Sequence, residues 1–591
     1  MEVLLLAFAN DRTQPLQTLA DEYAALHKTL APRTLRQHFL ASLLSHATLD
    51  DIGYYLTLFR DQIRLFLFSG HAGRDLLLTE TGAARAEGIA HLLAQCPRLQ
   101  VVILNGCSTD GQVAALHAAG IPLVIATQSP VGDAAATQFS TRLFQALETG
   151  LSIAEAFEQG IGAATALRAI SVQRSMGFES ADDAAWRLCA HPDQPDAGQW
   201  KLPTQAARAA RAPFGENELL LETLYEAFAA HHPRVGELRA AGATLDERAE
   251  EIIAALLRAL PAPVSEHVRK LVAPSPPGTD DGWDTAGPRR LAQLGQTYQI
   301  AMDFMVYVHF AQLWESAIQH GAQFQLPPAL AASFRSFFEL EGNARRDCDH
   351  FSLLRQLREA LETNGEQPFV RELQQFRAAF VEDESVRNAC FFLANLLRAG
   401  ETASAAEAAE LCFRAEECLA LVFGKWGFLG QYLLATVRNI DVRKYRHTGQ
   451  AEFEHLVVKW HGTLGIYEKE FPRAPEFMDN RSVVLLRAPF AAPAAQSAES
   501  QPIAARFLNL SPFILDENTF EAVPDTSLSK LYFFAWRQAA SGRLHYKFVN
   551  DPLHDTIDLE DPIFFDRKKK TTKYALAVEQ FNLFFETILT P

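Results

Sequence analysis

The apolar positions of the first two hundred residues fall into short continuous runs separated by stretches with helical spacing. Val3 to Phe8 is one such run, and Leu16, Leu19, Tyr23, Leu26 and Leu30 then recur at the spacing of one helical face in a segment that Pro15 opens. Phe39 to Leu44, Ile63 to Phe68, Leu99 to Leu104 and Pro122 to Ala126 read as four further buried strands. Between them lie a helix after Thr48, whose Asp51 three residues on completes a capping box, a helix over Ala83 to Ala94 and a short one around Val113 to Ala119. Long helices follow from about Ala134. Strands alternating with helices in this way predict a mostly parallel sheet covered on both faces.

After the polar, Asp- and Pro-rich stretch from His191 to Gly198 the pattern changes, and a boundary is expected near Pro203. Residues 204–283 read as a helical connector, with amphipathic spacing from Glu216 to Val272 and the linker-like run Pro274 to Gly282. Residues 284–480 read as a helical bundle, with helices from Arg289 to about Tyr467; the oily segment Ala301 to Trp314 belongs inside it. Residues 481–591 read as a small α+β module. In it Leu531 to Gln538 and Arg543 to Val549 flank Ala539-Ala540-Ser541-Gly542 as a hairpin, and Tyr574 to Leu589 forms a closing helix. The run Ala491 to Ser500 is a linker by composition. The fold class is thus multidomain: an N-terminal α/β domain over 1–203, an all-α region and a C-terminal α+β module.

A chain of 591 residues is too long for one core, and 48% apolar with 21% charged residues is ordinary for a folded protein. Fifty-four basic against seventy-one acidic side chains leave a formal charge of −17, so the molecule as a whole repels nucleic acid and anionic membranes, and neither is expected as a partner. The start, Met1 to Asp11, lacks a basic n-region and reads as a strand; no stretch reaches the apolar length of a membrane span, and Asp303 interrupts the oiliest. A cytoplasmic location is expected. Seven scattered cysteines form neither a disulfide framework nor a zinc pattern, and no nucleotide or calcium motif is present, so no cofactor or metal is expected.

Two strands end in reactive side chains. One runs Ile63 to Phe68 into Ser69-Gly70-His71-Ala72-Gly73, the other Val101 to Leu104 into Asn105-Gly106-Cys107-Ser108-Thr109. Side chains just past the carboxyl ends of neighbouring parallel strands share one crevice, so His71 and Cys107 are brought together despite their separation in the chain. A free thiol is only a few per cent thiolate at neutrality; an imidazole, or a helix beginning soon after Cys107, would favour the nucleophilic form. Gly70 and Gly106 allow a sharp turn before each residue. The backbone N–H groups of Ala72 and Cys107 are then candidates for an oxyanion hole. Against this stands a plainer reading, since cysteine is among the most buried residue types and often merely packs. Cys96, Cys189, Cys348, Cys390, Cys412 and Cys418 lie in helical or loop patterns and read as core or surface residues, and His309 as a hydrogen-bonded core histidine. The run Arg567 to Lys570 reads as a solvated turn.

These two motifs in order, followed by Val124-Ile125-Ala126-Thr127 and Trp186-Arg187-Leu188, resemble the CHAT domain, a caspase-like cysteine peptidase module related to separase and the caspases. The resemblance spans about the first 203 residues. It implies a caspase-hemoglobinase fold and a His–Cys dyad, with His71 as base and Cys107 as nucleophile in peptide-bond cleavage. Ala72 stands where many relatives have glycine, and Asn105-Gly106 where many have Ser-Ala. In CHAT and separase-like peptidases an acidic residue near Asp133 helps recognise a basic P1 side chain; Asp133 also suits a helix N-cap. The expected function is a regulated endopeptidase acting on a partner protein, under an activating or regulatory protein, in bacterial signalling or antiviral defence. The alternative is a catalytically inactive scaffold or sensor on the same fold.

Overall fold

The computed structural model describes residues 2–10, 16–35, 38–79, 82–166, 185–204, 217–272, 282–342, 345, 348–400, 403–447, 451–460, 462, 467–470, 473–474, 478–487, 507–521, 530–552, 555–566 and 570–589. The chain divides into two compact units, Met1–Ala212 with Asp347–Asp349, and the remainder from Pro213 to Pro591.

The first unit is built on a six-stranded sheet. Its elements are β1 (Val3–Ala9), α1 (Leu19–Leu35), β2 (Leu40–Leu44), α2 (Leu49–Leu58), β3 (Ile63–Gly70), the hairpin β4 (Leu76–Thr79) and β5 (Gly82–Arg85), α3 (Ala86–Ala94), β6 (Val101–Asn105), α4 (Val113–Ala118), β7 (Leu123–Thr127), α5 (Asp133–Glu148), α6 (Ile153–Ala166) and β8 (Trp186–Ala190). The sheet order is β2-β1-β3-β6-β7-β8, parallel throughout except for the antiparallel edge strand β8. The inner strands β1, β6 and β7 are buried along their whole length, and β3 in all but Arg64, as strands covered on both faces must be. Leu4, Leu6, Leu65, Leu67, Val101 and Ile103 turn to one face, where they meet Leu26 and Leu30 of α1 and Phe139 and Leu143 of α5. The capping box predicted at Thr48 is present: its hydroxyl accepts the Asp51 N–H, and the Asp51 carboxylate accepts the Thr48 N–H.

One element differs from expectation. Ala83 to Ala94 is not a single helix, because Gly82–Arg85 pairs antiparallel with Leu76–Thr79 and the helix starts only at Ala86. That hairpin braces the segment after β3: Ala72 bridges Leu77, Leu78 donates its N–H to the His71 carbonyl at 2.9 Å, and Gly73 donates to Leu76 at 2.8 Å.

The second unit begins with helices Glu218–Ala229, Pro233–Ala240, Leu245–Ala259 and Ala262–Val272, then the 33-residue helix Pro288–His320, which is buried along Ile300 to Ala311 as its composition demands. His309 lies inside it, its Nδ1 2.8 Å from the Met305 carbonyl. The expectation of helices up to Tyr467 is overturned. The helical run ends with Ala405–Gly424, and Tyr432–Arg443 and Glu452–Trp460 are antiparallel strands of a sheet that also takes in Ser482–Arg487. Gly427 and Gly430 break the helical pattern, and the β-branched residues of Thr436-Val437 and Val457-Val458 suit a pleated surface. The predicted hairpin forms, Leu531–Arg537 pairing antiparallel with Leu544–Phe548, and Ala575–Leu589 is the closing helix. The linker at Ala491 to Ser500 and, apart from Lys570, the basic run at Arg567 lie outside the described residues. Among the described residues no helix is long and apolar enough to cross a membrane.

His267, on Ala262–Val272, is fully buried, with Nε2 2.7 Å from the Val549 carbonyl and Nδ1 2.9 Å from Gln293 Nε2. Burial, with Lys270 nearby, pushes its pKa down to about 3. The unfolded imidazole takes a proton near pH 6.5 while the folded one stays neutral, so stability is complete above that pH and is lost as pH falls from about 6.5 towards 3. At pH 4.5 the loss from this residue is roughly 2–3 kcal/mol. Urea unfolding at pH 7 and 4.5 checks it: His267→Gln should narrow the difference between the two pH values, and an undiminished difference would assign the acid sensitivity elsewhere.

Candidate active site

β3 and β6 are parallel neighbours, with Ser69 paired to Asn105. His71 and Cys107 each lie two residues beyond this pair, so both follow the carboxyl ends of adjacent strands. Gly106 fits so tightly against the other strand end that a Cβ there would lie 2.5 Å from the Ala72 Cβ and 2.8 Å from the Gly70 carbonyl oxygen. At Gly70 a Cβ would lie 2.5 Å from the Ala9 carbonyl oxygen. Both glycines are therefore demanded by close approach of β1, β3 and β6. The sharp turn is displaced to Ser108, which follows the thiol in the left-handed region at φ 53°, ψ 41°. A non-glycine residue there is uncommon and costs backbone strain.

Two threonines hold that turn. Thr127, at the end of β7, donates its hydroxyl to the Gly106 carbonyl, and its backbone N–H reaches Thr109 Oγ1 at 2.9 Å. Thr109 in turn donates its N–H to Thr127 Oγ1 at 3.2 Å. The first N–H of the short 3₁₀ turn Thr109–Gln112 is thus directed at a threonine and not at the sulfur, so the helix contributes less to the thiol than its position after Cys107 suggested.

The imidazole and the thiol are both enclosed, His71 being 4% exposed and Cys107 1%, whereas the residues that follow them, Ala72 and Ser108, are only half-buried. Cys107 packs in the same apolar cluster as Leu67, Ile103 and Val131. Val131, in the connection from β7 to α5, donates its N–H to Sγ at 3.3 Å, and its carbonyl oxygen lies 3.7 Å from the same sulfur. This contact had no signal in the sequence beyond the nearby Ser129-Pro130 pair.

Asp133 opens α5, but the N-cap is Gly132, whose backbone is extended. The Asp133 carboxylate is 3% exposed and accepts the Thr18 N–H at 2.9 Å through Oδ2, while Thr18 and Thr137 share a hydroxyl contact of 2.7 Å. The start of α5 is thereby joined to the start of α1. Antiparallel pairing of Ala72 with Leu77 uses the His71 carbonyl and the Gly73 N–H, which turns the Ala72 N–H away from β4.

Four of the other six cysteines are held protonated by burial. All seven are free thiols; burial pushes Cys96 up to about 11 and Cys418 up to about 12, and raises Cys390 and Cys189 as well. Such thiols stay protonated at neutral pH and are inert as nucleophiles. Among the described residues no group of three or more His, Cys, Asp and Glu side chains is arranged to hold a metal ion.

No curated protein matches the chain. The family model of the CHAT domain, in contrast, matches residues 4–175, a stretch that takes in β1 and both reactive strand ends. Over residues 4–175 the first unit of this chain is thus similar to the CHAT domain, a module of the caspase-like peptidase family.

Proposed function

We propose that the protein is a regulated cysteine endopeptidase in which Cys107 attacks the scissile carbonyl and His71 takes the thiol proton, later returning it to the leaving amine. The observation that carries this reading is the paired register of β3 and β6, which delivers both residues to one sheet edge against a tightly apposed Gly106. A general base beside a thiol and backbone donors beside the developing oxyanion are the elements such chemistry requires. The Ala72 and Cys107 N–H groups are the proposed oxyanion donors. A basic P1 preference through Asp133 requires its carboxylate to exchange the Thr18 N–H for a guanidinium or ammonium group. A sulfur 1% exposed and bonded by Val131 describes a resting state, so substrate entry requires the 128–132 segment to withdraw. The second unit, which makes up most of the chain, is the proposed receiver of the activating or regulatory protein, in a cytoplasmic signalling or defence setting.

The same enclosure favours a second reading, a scaffold on which the dyad no longer turns over. A peptide library varied at P1 separates the two. Wild type should cleave it, peptides with P1 Arg or Lys should be cut faster than matched Asp or Ala peptides, and Cys107→Ala and His71→Ala should each lose at least about 1,000-fold in rate. Full cleavage by Cys107→Ala would reject the mechanism. Equal rates across P1 would remove the role of Asp133 alone. If wild type cleaves nothing and iodoacetamide labels Cys107 with the pH profile of an ordinary thiol, the scaffold stands.

A further inference from the structure

Below the dyad, on the same face of the sheet, lies a buried polar group that neither the family resemblance nor the proposed chemistry uses. Glu22, in the first turn of α1, is completely buried. Its Oε1 accepts the Ser69 hydroxyl at 2.8 Å and the Asn105 side-chain N–H at 2.9 Å. Ser69 and Asn105 are the cross-strand pair that immediately precedes the reactive ends, and both are completely buried. Side chains two residues apart on a strand share a face, so His71 and Cys107 project on the side that Glu22 braces, about 7 Å further along. That Cys107 packs with Leu67 and Ile103 agrees with this placement.

Asn105 is held from further directions. It donates to the Ala136 carbonyl of α5 at 3.0 Å, and its Oδ1 accepts the Trp186 indole N–H of β8 at 3.1 Å. The start of α1, from which Glu22 projects, is itself fixed by the Thr18 contacts to Asp133 and Thr137. One carboxylate oxygen therefore joins α1 to both strands that bear the dyad, and through Asn105 to α5 and β8.

We infer that Glu22 is a positioning residue of the peptidase site: by bonding Ser69 and Asn105 with one oxygen it fixes the relative height of the two strand ends and thereby the approach of His71 to Cys107. The inference rests on the peptidase reading above. A carboxylate only accepts, which suits two donors converging on one oxygen; methionine, of similar length, offers neither of them an oxygen acceptor. Glu22→Met therefore keeps the length of the side chain and loses the shared anchor. A displacement of the reacting groups by about 1 Å costs on the order of 100-fold in rate.

The test measures peptide cleavage together with the pH profile of iodoacetamide alkylation at Cys107, the latter read by mass spectrometry in the full chain. Glu22→Met should lower kcat about 100-fold, leave KM within about two-fold, and move the alkylation profile up towards that of an unassisted thiol near pH 8.5. Ser69→Ala, which removes one of the two donors, should lower kcat about ten-fold in the same direction. His71→Ala supplies the reference profile for an unassisted Cys107. Glu22→Met that folds, as shown by circular dichroism, with kcat within about three-fold of wild type and an unchanged profile would overturn the positioning role. A rise in KM at constant kcat would overturn it too. Should Glu22→Met not fold, Ser69→Ala decides by the same criteria. If His71→Ala itself leaves the alkylation profile unmoved, the dyad fails and not the brace, so the two failures are told apart.

Discussion

Alanine at position 106 should lower peptide cleavage by at least about 100-fold without unfolding the first unit. The added methyl would meet the Ala72 Cβ at 2.5 Å and the Gly70 carbonyl oxygen at 2.8 Å, well inside the roughly 3.5–4.0 Å at which nonbonded atoms rest. Neither obstacle is the far end of a flexible side chain. The Gly70 carbonyl is main chain, and Ala72 is fixed by its bridge to Leu77, so relief requires the ends of β3 and β6 to part. Upstream of the contact the two strands remain paired from Leu65 with Val101 to Ser69 with Asn105, and the sheet survives. Separation is therefore concentrated where His71 and Cys107 sit. Cleavage of the P1-varied library, with circular dichroism as the control for folding, checks this; activity within about three-fold of wild type would mean that the strand ends carry slack enough to absorb a methyl group.

The largest effect on stability is expected in the second unit, from Lys547→Met. Asp303 lies inside the helix Pro288–His320 at 1% exposure, its Oδ2 2.5 Å from Lys547 Nζ and its Oδ1 3.0 Å from His350 Nε2. Burial alone would raise its pKa, but Lys547 and His350 outweigh that and hold the carboxyl well below the usual range. It is thus ionised in the folded unit at neutral pH, and methionine fills the space of Lys547 without the charge. Removing one member of a buried pair typically costs 3–5 kcal/mol, so a loss of roughly that size is expected at pH 7. Lys547→Met combined with Asp303→Asn should lose less than Lys547→Met alone, because no charge is left stranded. Urea unfolding measures both; a cost under about 1 kcal/mol for Lys547→Met would show that His350 compensates Asp303 by itself.

The parts of this fold that the sequence makes legible are those decided by neighbouring residues. Continuous apolar runs mark β1, β3, β6 and β7 because strands buried on both faces tolerate little else, and Thr48 with Asp51 marks a helix start because both halves of the capping box lie within one turn. The helix at Ala405–Gly424 is equally clear, but Tyr432–Arg443 after it is not. Its leucine- and alanine-rich beginning also suits a helix, and the choice is made by pairing with Glu452–Trp460 and Ser482–Arg487 further along the chain. The hairpin at Leu76–Arg85 is hidden for the same reason, since Gly82-Ala83-Ala84-Arg85 has no strand signal of its own.

At the site, the ends of β3 and β6 could be read from the motifs that follow them. Glu22 could not, because an acidic residue in the first turn of a helix is ordinary, and its partners Ser69 and Asn105 are 47 and 83 residues away. Gly106 was recognisable as necessary, but for the wrong reason: its need comes from the opposing Ala72, while the left-handed conformation is taken by Ser108, a residue type with no marked preference for it.

The hydrogen bond from Val131 to the Cys107 sulfur has a further consequence, for the lifetime of the protein. A nucleophilic thiol open to water is attacked by peroxide and, once past the sulfenic stage, is beyond ordinary repair. Here the sulfur faces a peptide unit and hydrocarbon, so oxidants reach it no more readily than a cysteine of the core. Under the proposed mechanism, withdrawal of the 128–132 segment would also end this shelter, and each opening would expose the protein to permanent inactivation.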